Sequence, residues 1–299
     1  MRGSCKRSER SPSTLDLMNI ASIIRQASNR LAASAARGDA RLDAETLLMH
    51  VLGHDRAYLY SHPELELCCS DLAKYDELLR RREAGEPLQY ITGHQEFWGL
   101  DLEVNPAVLI PRPETEHAVE TAAKLSKHIP APEIVDVGTG SGCIALALAS
   151  ELRNAHIQAV DISCDALRVA ERNAARLGLA ERIHFSESDL LSAFLEMRPR
   201  FDLVISNPPY VGESEIEKLQ VEVRRHEPHC ALFGGAEGLD IYRRLVPEAK
   251  QVLKTGGWLV MEIGFSQEHA VRKLLSDWGK VDSIPDLQGI PRVIVAQKS

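Results

Sequence analysis

The sequence has no stretch approaching about 18 consecutive apolar residues, so no membrane span is predicted. Residues 1–14 are polar and basic with no apolar run; they do not read as a secretory signal and are expected to be disordered. The six cysteines form no C-x-x-C pair, and the adjacent Cys68 and Cys69 have a spacing that rarely makes a good bridge. Reduced thiols in a cytoplasmic protein are expected. Aromatics are scarce at 5%, which excludes base-stacking platforms as a general feature. Basic residues are outnumbered, 35 Lys and Arg against 43 Asp and Glu, a net charge of −8. Such a chain does not grip long nucleic acid over its whole surface, although a local basic patch still can. Internal repeats and low-complexity tracts are lacking too. What is present is a globular composition, 44% apolar and 26% charged over 299 residues, enough for one large domain or two ordinary ones.

Helical patterns open the chain. Apolar spacing predicts a helix over 15–36 through Leu17, Ile20, Ile23, Ile24 and Leu31. A second, with Asp43 as its cap, runs through Ala44, Leu47, Leu48, Val51 and Leu52 and stops at Gly53. A third covers 71–84; its Arg80-Arg81-Arg82 run, flanked by Glu77 and Glu83, is read as a solvated face. Residues 86–110 then hold short strands punctuated by Gly93, Gly99 and Pro106, which predicts a β-hairpin linker. From 111 onward strands alternate with helices. Strands are expected at 133–137, 156–160, 182–185, 202–206, 258–263, 279–283 and 292–297. That alternation predicts an open parallel sheet with helices on both faces, and ligands beyond the carboxyl ends of its strands.

The strand ends carry the chemistry. The first ends in Asp136-Val137-Gly138-Thr139-Gly140-Ser141-Gly142-Cys143. Its alternating glycines permit a sharp turn and close approach of a ligand. Cys143 replaces the last glycine of a dinucleotide fingerprint, which weakens a nicotinamide or flavin reading. Asp161 ends the second strand, placed to accept from ribose hydroxyls; Asp189 and Leu190 follow the third, placed to accept from an adenine amino group and to pack near its ring. Taken alone, Asp161 reads first as a helix cap and Asp189 as a cap or turn residue. Together they describe a pocket for an adenosine with a non-phosphate tail. No Lys or Arg lies between residues 128 and 152, and a carboxylate at Asp136 favours a cation, so S-adenosylmethionine is the expected cofactor.

The fourth strand ends in Ser206-Asn207-Pro208-Pro209-Tyr210. Two prolines stiffen this turn and remove two N–H donors. The Asn207 side-chain oxygen and the Pro208 carbonyl can both accept from one planar NH2, with Tyr210 against the flat group that carries it. Such a clamp orients a delocalised, poorly nucleophilic nitrogen and stabilises the positive charge that develops on it. No general base is needed early, which suits the lack of an obvious catalytic His or Lys. A rigid surface turn is the bland alternative.

Asn207-Pro208-Pro209-Tyr210 together with 136–142 resembles class I S-adenosylmethionine-dependent methyltransferases of planar nitrogens. Pro87-Leu88-Gln89-Tyr90-Ile91-Thr92-Gly93, Glu96-Phe97-Trp98-Gly99-Leu100 and Leu109-Ile110-Pro111-Arg112-Pro113-Glu114-Thr115-Glu116 narrow the resemblance to the release factor glutamine methyltransferases. So do His226-Glu227-Pro228, Ala231-Leu232, Gly234-Gly235 and Gly238-Leu239. The resemblance implies a seven-stranded Rossmann-like class I methyltransferase sheet of α/β class, with a small N-terminal helical domain joined by a β-hairpin linker. The boundaries it implies are a disordered 1–14, a helical substrate-recognition domain over 15–85, the linker at 86–110 and the methyltransferase domain over 111–299. It implies methylation of N5 of the glutamine in the Gly-Gly-Gln motif of peptide-chain release factors, within translation termination. Gly138, Thr139, Gly140, Ser141, Gly142, Asp161, Asp189, Leu190 and Asn207 would hold the cofactor. Asn207, Pro208 and Tyr210 would be catalytic, and Asn207 to Tyr210 with Phe97 would bind the glutamine. Phe97 and the stretch 111–116 would close over the site. A monomer with no membrane association, no metal and no nucleic-acid substrate is expected.

The competing reading is a nucleic-acid methyltransferase of adenine N6 or guanine N2, because the clamp senses only a planar NH2. The net charge, the few aromatics and the helical N-terminal domain weigh against it. Zinc at His226-Glu227-Pro228-His229-Cys230 is set aside: the spacing is not H-E-x-x-H, and Pro228 prevents a regular helix from presenting both histidines one turn apart.

Overall fold

The helices at the start of the chain begin where short polar side chains satisfy free backbone N–H groups. In a computed structural model describing residues 19–34 and 38–299, Asn19 accepts from Ser22 N–H to start α1 (Ile20–Ala32). Asp39 accepts from Arg41 and Leu42 N–H to start α2 (Ala40–Leu52), which ends at Gly53 in the left-handed conformation. Asp55 caps α3 (Arg56–Ser61); α4 (Cys69–Glu83) and α5 (Leu88–Thr92) complete this unit. Ile20, Ile23, Leu31, Leu47, Leu48, Tyr75 and Leu79 share its core.

Three expectations are corrected here. The cap of α2 is Asp39, not Asp43. Asp43 lies inside the helix and pairs with Arg82 at 2.7 Å. Arg82 is therefore buried, at 3% exposure, while Arg80 and Arg81 remain on the outer face paired with Asp76 and Glu86. Residues 88–92 are helical, where strands were expected. The tail 1–14 and Leu17 lie outside the described residues.

Contacts divide the chain into Met1–Thr92 and Gly93–Ser299. The second unit begins with the hairpin of β1 (His94–Phe97) and β2 (Leu100–Glu103), so the hairpin packs as part of it. Trp98 and Gly99, both at positive φ, form its two-residue turn, as the strand twist favours. Asn173 fixes it: its Oδ1 accepts from Glu103 N–H at 2.7 Å, and its Nδ2 donates to the carbonyls of Glu103 and Ser141.

Then come α6 (Glu116–Ser126), β3 (Glu133–Val137), α7 (Cys143–Glu151), β4 (His156–Asp161), α8 (Cys164–Arg176), β5 (Ile183–Glu187) and β6 (Phe201–Ser206). They are followed by α9 (Glu213–Ile216), α10 (Val221–His226), α11 (Asp240–Val252), β7 (Leu253–Glu262), α12 (Glu268–Leu274), β8 (Lys280–Pro285) and β9 (Pro291–Gln297). The seven-stranded sheet runs β5-β4-β3-β6-β7-β9-β8. Strands β3 to β7 pair in parallel, but β9 is antiparallel to β7 and β8, so the sheet is mixed rather than wholly parallel. Alternate side chains feed two cores. Ile134, Leu203 and Val260 join α6 and α7 on one face; Val135, Val204 and Leu259 join α11 and α12 on the other. Successive strands step one way from β3 and the other way from β6, so a crevice opens between their carboxyl ends.

Candidate active site

The loop after β3 is held from β4. Gly138 and Thr139 N–H donate to the Val160 carbonyl, and Gly140 N–H donates to Asp161 Oδ2 at 2.9 Å. The other Asp161 oxygen accepts from Ser163 N–H. Burial pushes the Asp161 carboxyl above its ordinary range, and these backbone donors oppose the shift. A cavity of about 340 Å³ opens here, within the size range of small-molecule sites. Gly138, Thr139, Gly140, Ser141, Asp161, Asp189, Leu190 and Asn207 line it. Gly142 does not. A Cβ there would stand 3.1 Å from Ala170 Cβ and Leu146 Cδ1, so this glycine lets α7 pack closely on α8.

Asp136 differs from its expected role. It is fully buried behind the loop and accepts from Thr139 Oγ1 at 2.6 Å and Ala145 N–H at 3.2 Å, while its Oδ1 has no partner. Burial pushes its carboxyl up to about 7. It braces the loop rather than facing the cavity. At the far end Arg244, a residue the sequence reading missed, donates to Asp189 Oδ2 at 2.7 Å. Leu190 sits at φ 53, a left-handed conformation uncommon for a residue with a Cβ.

A second cavity of about 610 Å³ adjoins the first; both are lined by Asn207, Leu109, Arg112 and Ala231. Pro208, Tyr210 and Glu114 line only the second, Pro209 only the first. Asn207 thus stands where a cofactor and an acceptor would meet. Its Nδ2 donates to Thr115 Oγ1 at 3.0 Å. The Thr115 hydroxyl donates to Glu262 Oε2 at 2.6 Å, and the Tyr210 hydroxyl donates to Glu262 Oε1 at 3.3 Å. Glu262, at the end of β7, is 2% exposed, and burial pushes its carboxyl up to about 7. Thr115 lay within the stretch expected to close the site. Glu262 was missed, although a carboxylate ending an apolar strand is the same signal that marked Asp136 and Asp161.

The Asn-Pro-Pro-Tyr turn is braced from behind. A Cβ on Gly234 would lie 2.5 Å from the Pro209 carbonyl oxygen, and one on Gly238 would lie 2.2 Å from that of Tyr210, so only glycine permits this approach. Gln267 Nε2 also donates to the Tyr210 carbonyl at 2.9 Å. Phe97 falls elsewhere. It is 1% exposed, lies in the same core cluster as Leu102 and lines neither cavity, because the hairpin turns it inward.

A mixed seven-stranded sheet with a glycine loop after its central strand, an acid ending the next and a proline-locked Asn at the switch point defines an S-adenosylmethionine-dependent class I methyltransferase. The site fits that cofactor: acceptors at Asp161, open space at Gly138 and Gly140, and no cation on the loop to hold a phosphate. A model of the methyltransferase small domain matches residues 119–224, and one of the PrmC N-terminal domain matches residues 22–93. A release factor glutamine methyltransferase of Koribacter versatilis is 54% identical over 86% of this chain and 91% of its own length. One from Geobacter sulfurreducens is 45% identical over 86% and 89%. The chain belongs to the release factor glutamine methyltransferase family. Among solved structures, the hMettl16 catalytic domain in complex with a 3′UTR hairpin shares the fold, with a TM-score of 0.55 at 15% identity over 85% of this chain and 90% of that one. No helix among the described residues is long and apolar enough to cross a membrane.

Proposed function

We propose that this enzyme methylates N5 of the glutamine in the Gly-Gly-Gln motif of peptide-chain release factors. The observation that carries the reading is the place of Asn207, shared by two adjoining cavities, with its Nδ2 committed to Thr115 and its Oδ1 left to accept. S-adenosylmethionine, when bound, supplies a methyl group made electrophilic by its sulfonium.

The chain's own part is orientation. Asn207 Oδ1 and the Pro208 carbonyl take the two hydrogens of the glutamine amide, and the Tyr210 ring lies against its plane. The nitrogen lone pair is thereby aimed into the cofactor cavity, and positive charge developing on nitrogen meets two fixed acceptors. Orientation of this kind contributes on the order of 7–11 kcal/mol in favourable cases. The methylated nitrogen is acidic and sheds its proton without a dedicated base. In the cofactor cavity, Asp161 accepts from the ribose hydroxyls, Asp189 from the adenine amino group, and Leu190 packs beside the ring.

The helical unit recognises the intact release factor. The net charge of −8 suits a protein acceptor over nucleic acid, and the enzyme works as a cytoplasmic monomer beside the translation machinery. Mass spectrometry of the Gly-Gly-Gln peptide, after incubating release factor with enzyme and labelled cofactor, tests the reading. One added labelled methyl on the glutamine is expected; label appearing only in RNA or DNA in a parallel reaction overturns it. A chain lacking residues 1–92 is expected to bind cofactor and to fail on the intact factor.

A further inference from the structure

An asparagine side chain is nearly symmetric in shape, but its two ends are opposite in polarity. A clamp for an NH2 group needs the oxygen end. Turned over, Asn207 would set its own NH2 against that of the acceptor, and the site would lose one of its two acceptors. Something outside the Asn-Pro-Pro-Tyr turn must therefore set which way the amide faces.

The surroundings of Asn207 do so through a chain of three groups. A threonine hydroxyl has one proton and two lone pairs. The Thr115 proton is spent on Glu262 Oε2 at 2.6 Å, so Thr115 offers Asn207 only lone pairs, and Nδ2 takes them at 3.0 Å. The other Glu262 oxygen accepts a hydrogen bond from the Tyr210 hydroxyl. One buried carboxylate thus sets the direction of two hydroxyls, and through them two members of the clamp.

We propose that Thr115 and Glu262 are positioning residues for methyl transfer: Glu262 fixes the Thr115 hydroxyl as an acceptor, and Thr115 in turn holds Asn207 with its Oδ1 facing the acceptor NH2. The inference rests on the reading of Asn207 as the clamp. Glu262 lines neither cavity; Thr115 lines the cofactor cavity beside Asn207 and acts on the acceptor through it. An ionised Glu262 secures that polarity, since a carboxyl protonated on Oε2 donates to the Thr115 hydroxyl and frees it to face Asn207 as a donor. Glu114 and Arg292 act on Glu262 with opposite signs, Tyr210 bonds its carboxylate, and Tyr242 donates to its backbone carbonyl.

The test uses the full-length enzyme and release factor. Thr115→Val keeps the shape and removes the hydroxyl; Thr115→Ser keeps the hydroxyl. For Thr115→Val, kcat is expected to fall by about 10–100-fold while the release-factor KM and the cofactor Kd stay within about threefold, the signature of an interaction that matters in the transition state. Thr115→Ser is expected to recover most of the loss. A purely structural role would move affinity or folding instead and would not discriminate serine from valine. A kcat for Thr115→Val within threefold of the parent overturns the proposal, as does a serine variant no better than the valine one. Glu262→Gln provides a second arm. Its kcat is expected to fall at least as far, because Glu262 also holds the Tyr210 hydroxyl, and the double variant to be no slower than the slower single one, because Thr115 acts on the same chain; multiplied losses overturn the proposal. Asn207→Ala separates the two failures. If it abolishes turnover while Thr115→Val does not, this inference alone fails; if Asn207→Ala is active, the clamp fails with it.

Discussion

Glu227 and Arg112 form an ion pair across 115 residues of sequence, and the other Glu227 oxygen accepts from Ile110 N–H at 3.2 Å. This carboxylate is buried at 6% exposure and joins the segment after α10 to the strap at 109–112, where Leu109 and Arg112 line both cavities. The joint gives Glu227 of the His226-Glu227-Pro228 motif a structural role.

Glu227→Ala is accordingly expected to loosen the strap. It leaves the Ile110 N–H without its acceptor and a guanidinium without its partner, a loss of about 1–3 kcal/mol. The partial exposure of Arg112 keeps the ion-pair share at the low end. Apparent affinity for cofactor and release factor should fall together, since both cavities share the strap. Denaturant melts and paired KM measurements check this, and a fall in only one affinity would separate the strap from the other cavity.

Local signals and distant partners divided what could be read from sequence. Periodicity located all seven sheet strands, and glycine punctuation located the end of α2 at Gly53, because these depend on residues a few positions apart. Direction along the sheet is not periodic, so the reversal of β9 had no signature. Asp39 and Asp43 are equally good caps locally; what decided between them was Arg82, 39 residues beyond Asp43. Phe97 sat in a motif with the look of a site, yet strand alternation across a two-residue turn sends it inward. The glycine loop, Asp161 and Asn207 were legible because each ends a strand. The Thr115–Glu262 bond spans 147 residues and could not be read from either end.

Asp161→Ala is expected to weaken cofactor binding by roughly 1–3 kcal/mol, the scale of a hydrogen bond to a charged group. Two effects add. In the proposed binding mode the ribose loses its acceptor, and Gly140 N–H loses the carboxylate that holds the loop. Asp161→Asn retains one acceptor oxygen and should fall between the two. Calorimetry decides, and unchanged affinity in the alanine variant would remove Asp161 from the site.

Asn207→Ala should leave folding nearly intact, because the side chain makes one hydrogen bond to Thr115 and otherwise lines cavities. Turnover is expected to drop by about 100–1,000-fold, the range seen when one preorganised group at a developing charge is removed. Single-turnover kinetics on release factor with saturating cofactor measure it, and near-normal rates would refute the clamp.

Glu262 makes stability and activity pull apart with pH. Burial raises its carboxyl from an ordinary value near 4.5 to about 7 in the folded chain. Between those values the folded state holds a proton that the unfolded state releases, so stability is greatest below the lower value and declines as pH rises through the higher one. The decline amounts to on the order of 3 kcal/mol for this group. Asp136, raised to about 7 by the same cause, adds a decline of the same sign. Glu262→Gln removes one of the two contributions, so its unfolding free energy should lose less than the parent's between pH 5 and pH 8. Urea melts across that range check it, and parallel curves would mean Glu262 does not titrate there. The ionised form that costs stability is the form that accepts from Thr115 and Tyr210. The glutamine variant should therefore be the more stable protein at pH 8 and the slower enzyme.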